Sequence, residues 1–182
     1  MNNAIGLLEL RSIAEGIKTA DVMVKAGDVE LFFCGTACPG KFLVLVGGQV
    51  GAVKSALNGG RQVAEEWLVD EMLIPNVHQS VFPAISATTN VSDAKAIGII
   101  ETYSVAASIL AADKAAKSGN VELIEVRLAK GMGGKSFVLL AGEVGAVKAA
   151  VAAGVEVVKD HGVIVSHVVI SGPDKAVMNH LI

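Results

Sequence analysis

The chain has 182 residues, 52% hydrophobic and 18% charged, with a formal net charge of -3 at pH 7. That composition is rich enough to bury a sizeable core and excludes a disordered chain. With no basic excess, one Trp and one Tyr, it offers neither an electrostatic footprint nor stacking platforms for nucleic acid, so no nucleic-acid partner is expected. No apolar run approaches the roughly 20 residues of a membrane span. No basic segment followed by an apolar one opens the chain at Met1-Asn2-Asn3, so neither a membrane nor a secretory route is expected. The expected setting is cytoplasmic, with both cysteines reduced. So little polar surface also points to extensive contact between subunits.

In chain order, Ala4 to Arg11 is apolar on both faces, as a buried strand is. Ser12 with Glu15 forms a capping box, after which Ile13, Ile17, Ala20 and Val24 keep helical spacing until Gly27. Two strands, Val29 to Cys34 and Phe42 to Val46, flank the polar turn Ala37-Cys38-Pro39-Gly40-Lys41. A second helix carries Val53, Leu57, Gly60, Ala64 and Trp67 at steps of four and three, and a last strand lies around Met72 to Val77.

The same order then repeats. Ala4-Ile5-Gly6-Leu7-Leu8-Glu9 returns as Ala96-Ile97-Gly98-Ile99-Ile100-Glu101, and Gly27-Asp28-Val29-Glu30-Leu31 as Gly119-Asn120-Val121-Glu122-Leu123. Beyond the turn the offset grows by two, with Gly40-Lys41 against Gly134-Lys135 and Gly48-Gln49-Val50-Gly51-Ala52-Val53-Lys54 against Gly142-Glu143-Val144-Gly145-Ala146-Val147-Lys148. Val147, Val151, Gly154 and Val158 repeat the second helix, and Gly162 to Ile170 the last strand. A period this long is a duplicated small domain. The polar stretch Ser86 to Asp93 reads as the linker, giving domains 1–90 and 91–182. Strand, helix, strand, strand, helix, strand is the split β-α-β pattern. The fold expected is therefore α+β, two tandem ferredoxin-like domains with both helices on one face of each sheet.

The paired openings Ala-Ile-Gly-x-x-Glu carry a resemblance over nearly the whole chain. So do Ala20, Asp21 and Lys25 with Ala112, Asp113 and Lys117, the Gly-Lys before each third strand, and Gly-Gln/Glu-Val-Gly-Ala-Val after it. They resemble the shell proteins of bacterial microcompartments, in the tandem-domain form that assembles as a trimer imitating a hexamer. The Cys38 turn resembles, more narrowly, the iron-sulfur-carrying shell proteins of propanediol-utilisation compartments. The family's edge arginine is absent near Asn76-Val77-His78 and near Ser171-Gly172-Pro173. The resemblance implies a non-enzymatic, pseudohexameric homotrimer that tiles with hexameric shell proteins in the wall of a cytoplasmic compartment. It puts Lys25 and Lys117 at the outer edges where assemblies abut.

A three-fold axis brings three copies of an axial residue together. If the Cys38 turn faces that axis, three thiolates converge there and can hold one 4Fe-4S cluster per trimer, shared by three subunits. Its expected work is electron transfer across the shell or cluster delivery to enclosed redox enzymes. Ala37, Pro39 and Gly40 would line the pore with Gly131, Met132, Gly133 and Gly134 of the second copy's turn, which offers no thiol. Lys41 and Lys135 follow those turns and either tune the pore's charge or are simply solvated.

Other features read blandly. Cys34 ends a strand and reads as a small buried hydrophobe, and His78, His161, His167 and His180 lack zinc-ligand spacing. Ala129 to Ser136 imitates a phosphate loop, but a phosphate loop runs into a helix and Phe137-Val138-Leu139-Leu140 reads as a strand. Glu9 and Glu101 read as structural, and no carboxylate pair or nucleophile-base set is legible, so no enzyme is expected. Two alternatives stand beside the cluster: a shell protein whose pore passes metabolites, and a ferredoxin-like small-molecule sensor.

Overall fold

The computed structural model describes residues 3–89 and 94–181. The expected junction at 90/91, the end of the linker from Asn90 to Asp93, and the first two residues lie outside them. The chain divides into two compact units, one of residues 1–77 with 130–134 and one of residues 78–129 with 135–182.

The first unit comprises β1 (Ala4–Leu10), α1 (Ile13–Ala26), β2 (Val29–Ala37), β3 (Lys41–Gly48), α2 (Val50–Ala64) and β4 (Leu68–Ile74). Its sheet runs β2-β3-β1-β4, antiparallel throughout. That is the order the split pattern dictates, because each helix carries the chain past one intervening strand. Ser12 Oγ accepts from the Glu15 N–H at 3.3 Å, so the predicted cap starts α1. One apolar layer forms where Leu8, Leu10, Val44 and Val46 meet Ala20 and Met23 of α1 and Val53, Ala56 and Leu57 of α2. Gly60 marks a close approach, since a Cβ there would stand 2.6 Å from Met23 Cγ and 2.7 Å from Leu8 Cδ1.

Three expectations shift. The second helix ends at Ala64 rather than Trp67, because Glu65 takes φ 44 and a short 3-10 turn follows. That advances the last strand to Leu68–Ile74, ahead of the expected Met72–Val77. Of the helical stripe in α1 only Ala20 is buried, while Ile13, Ile17 and Val24 are exposed.

The second unit comprises α3 (Val81–Ile85), β5 (Ala96–Thr102), α4 (Val105–Ser118), β6 (Val121–Arg127), β7 (Ser136–Gly142), α5 (Val144–Val158), β8 (Ile164–Ser171) and α6 (Lys175–Leu181). Its sheet, β6-β7-β5-β8, repeats the first. Ser104 Oγ caps α4 through the Ala107 N–H, as Ser12 caps α1. The short helix α3, which sequence periodicity did not predict, packs against β6 and α4. It is tied down by Thr89 Oγ1 donating to the Ile124 carbonyl and by the His78 N–H donating to Asp113 Oδ1 at 2.7 Å.

Candidate functional site

The β2–β3 connection is three residues long, Cys38-Pro39-Gly40, with Gly40 at φ 77 and a cis peptide between Cys38 and Pro39. Positive φ at Gly40 needs glycine's freedom, and it lets the chain reverse directly into Lys41. The matching connection of the second copy is longer, with positive φ at Ala129, Gly131, Gly133 and Gly134. Its residues Lys130 to Gly134 belong to the first compact unit, where they meet the Cys38 turn. A Cβ on Gly134 would stand 3.0 Å from Pro39 Cδ and 3.4 Å from the Cys38 carbonyl oxygen.

Together the two turns form a cleft of about 540 Å³ lined by Thr36, Ala37, Cys38, Gly40, Lys130 and Gly131. Of the residues the sequence placed at the pore, Ala37, Cys38, Gly40 and Gly131 thus share one cavity, and Pro39 and Gly134 touch beside it. Met132 is half-buried and Gly133 exposed, and neither lines the cleft. Thr36 and Lys130 join the lining without having been anticipated. Lys130 Nζ lies 4.3 Å from the centroid of the Phe33 ring, a cation-π contact that holds its charge at the cleft.

Cys38 is half-buried and its sulfur is free. Cys34 is exposed, contrary to its reading as a buried hydrophobe, although Val126 on the equivalent edge strand β6 is buried. Partial burial of its sulfur still pushes the Cys34 thiol up. Among the described residues no three His, Cys, Asp or Glu side chains of one chain gather to hold a metal. As expected where the likeness to a phosphate loop is accidental, Gly134-Lys135-Ser136 leads into β7 rather than a helix.

The two glutamates have a specific task. Lys41 Nζ reaches Glu9 Oε1 at 2.5 Å and Lys135 Nζ reaches Glu101 Oε1 at 2.6 Å, so each turn is pinned to the central strand of its own sheet. The hydrogen bond and charge of Glu101 hold the Lys135 ammonium above its ordinary range. Lys41 and Lys135 thus each close an ion pair within their own unit. The first pair is the more buried, with the Glu9 side chain 2% exposed. Lys41→Met leaves that carboxylate in the core without its cation and is expected to cost about 3 kcal/mol of unfolding free energy in urea titrations. Lys135→Met, at an exposed pair, is expected to cost clearly less. Lys25 and Lys117 close i, i+4 pairs with Asp21 and Asp113 at 2.6 Å on their own helices.

The BMC domain family matches the chain twice, over residues 4–77 and 96–173. The chain is 44% identical over 182 residues to the bacterial microcompartment shell protein PduT of Citrobacter freundii, covering 100% of this chain and 99% of that one. It is 31% identical over 136 residues to the carboxysome assembly protein CcmO of a Synechocystis strain, covering 67% of this chain and 46% of that protein. A crystal structure of a microcompartment protein from Desulfitobacterium hafniense superposes with a TM-score of 0.93 at 46% identity, covering 98% of this chain and 99% of that one. A fused permuted hexameric shell protein of the RMM microcompartment shares the fold, with a TM-score of 0.64 at 17% identity over 86% of this chain and 81% of that one.

Proposed function

The chain belongs to the BMC-domain family of bacterial microcompartment proteins, and from that premise we propose that it is a structural shell subunit. In this reading three chains close into a pseudohexameric ring that carries an iron-sulfur cluster on its axis. The observation that carries the ring is an exposure mismatch between two nearly identical halves. Ile17 on α1 is 57% exposed, whereas Ile109, its counterpart on α4, is 0% exposed. Ile13 and Val24 are likewise bare where Val105 and Ala116 are buried.

The closing strands show the reverse. Ile74 pairs with Ile5 and Ile170 with Ile97, so the two are equivalent; yet Ile74 is 4% exposed and Ile170 is 42% exposed. Met72 is buried and its counterpart Val168 bare. Each chain thus ends in one bare helix face and one bare strand, each of a kind that its sister copy keeps from water. A head-to-tail contact that covers both continues until rotation closes it. Three chains supply the six domains of a hexamer-like tile.

At the axis of such a ring Cys38 is present three times and Met132 offers no thiolate. The donor chemistry fits a 4Fe-4S cluster with three cysteine ligands and one iron left for another ligand, a count that no single chain reaches. Such a cluster supplies one-electron transfer, here across a protein wall. Lys130 from each chain would bring positive charge to the same cleft, which compensates the negative charge of three thiolates. Lys25 and Lys117 at the tile edges, contact with hexameric shell proteins, and delivery of electrons or clusters to enclosed enzymes belong to the same proposal.

The ring and the tile are tested by sedimentation equilibrium and electron microscopy. The expected result is a mass of three chains, and flat layers when the protein is mixed with a hexameric BMC-domain protein. A monomer, or a discrete trimer that never enters layers and saturably binds a small ligand, contradicts the shell reading and favours a sensor.

A further inference from the structure

The segment after each closing strand also occurs twice, and only one of the two is covered. Counting from the equivalent strand residues Ile74 and Ile170, Val81-Phe82 matches Val177-Met178 and Ile85 matches Leu181, so α6 repeats the apolar pattern of α3. Val81 is 0% exposed in its seat on β6 and α4, whereas Val177 is 50% exposed and Leu181 is bare as well.

The seat is duplicated too. Leu123 and Val126 of β6 are buried, while their counterparts Leu31 and Cys34 on β2 are exposed, with strand pairing fixing the equivalence. Asp113 of α4 is buried and accepts the backbone N–H of His78. Its counterpart Asp21 is exposed, as is Asp174, the counterpart of His78.

We propose that α6 of one chain docks on β2 and α1 of the next chain around the ring, as α3 docks on β6 and α4. This rests on the ring described above. Asp21 then accepts the backbone N–H of Asp174 from the neighbour, and Val177 and Leu181 cover Leu31 and Cys34. The occupant is a second copy of this chain, because only the ring places an unsatisfied α6 beside an unsatisfied β2. Cys34 becomes the small buried hydrophobe that Val126 is in the other half. The strand so covered runs directly into Cys38, so the strap also orders the cysteine turn.

Alkylation of Cys34 tests this in the Cys38→Ser chain, where it is the sole thiol. In trimers verified by sedimentation, Cys34 is expected to react at least about tenfold more slowly with a thiol reagent than in the urea-unfolded chain. Val177→Asp on the strap and Leu31→Asp on its seat are each expected to restore fast reaction. Both positions are exposed in the single chain, so neither change threatens its folding. Fast reaction in the parent trimer, or continued protection in Val177→Asp trimers, overturns the strap while leaving the ring intact. A parent chain that is not trimeric overturns the ring instead.

Discussion

Anaerobically purified Cys38→Ser is expected to be colourless and free of iron, whereas Cys34→Ala keeps both its visible absorbance and its iron. The contrast is large because the symmetry multiplies it. One substitution in the gene removes all three thiolates of a trimer at once, and a hydroxyl is a poor substitute for a thiolate on iron. Cys38 lines the cleft between the two turns and Cys34 does not. Iron content should therefore fall by more than about tenfold in the first variant and stay within error in the second. Folding is a separate matter, since Cys38 lies on a turn outside the apolar layer and serine fits its space. A Cys38→Ser protein that holds as much iron as the parent moves the ligands elsewhere and leaves a pore without a cluster as the reading of this cleft.

Ile17→Asp is expected to convert the trimer to a monomer at micromolar concentration. In the single chain Ile17 is more than half exposed, so the change leaves the fold and its unfolding midpoint nearly untouched. In the ring it would place a carboxylate in an apolar contact, losing about 2 kcal/mol of burial and adding a desolvation cost of similar size or larger. A loss of about 4 kcal/mol per contact weakens association on the order of 1,000-fold. Ile170→Asp, on the opposite bare surface, should do the same, and Ile17→Leu should not. A trimer that survives both aspartates shows that these surfaces are not the ones that meet.

Much of this fold was legible because the chain states it twice. A strand that alone could be a short buried helix becomes a strand when Ala4 to Leu10 and Ala96 to Thr102 carry the same pattern. The capping serines, the glycines at close helix approaches and the Cys38 turn were likewise local signals. The end of α2 was not, because Glu65-Glu66-Trp67 continues the helical spacing while the backbone leaves it at Glu65. The Glu9–Lys41 pair spans 32 positions, and no period connects two such residues, although its recurrence as Glu101–Lys135 was a usable clue.

The exposure mismatch was illegible in principle. Ile17 and Ile109 sit in the same pattern, and only the surroundings of each half decide which is covered. The role of Lys130 was illegible for a related reason, since its place at the cleft depends on Phe33, nearly a hundred positions away. Helices α3 and α6 are too short to show a period, so their likeness appears only once the strands before them fix the count.

The most direct test of the central claim is a count of iron and acid-labile sulfide per trimer. It should be made on anaerobically purified wild type whose mass is measured in the same sample, with electron paramagnetic resonance after reduction. One 4Fe-4S cluster for every three chains is the predicted result, because only a ligand set shared around a three-fold axis gives that ratio. No iron, even after reconstitution, or one cluster for each single chain contradicts it.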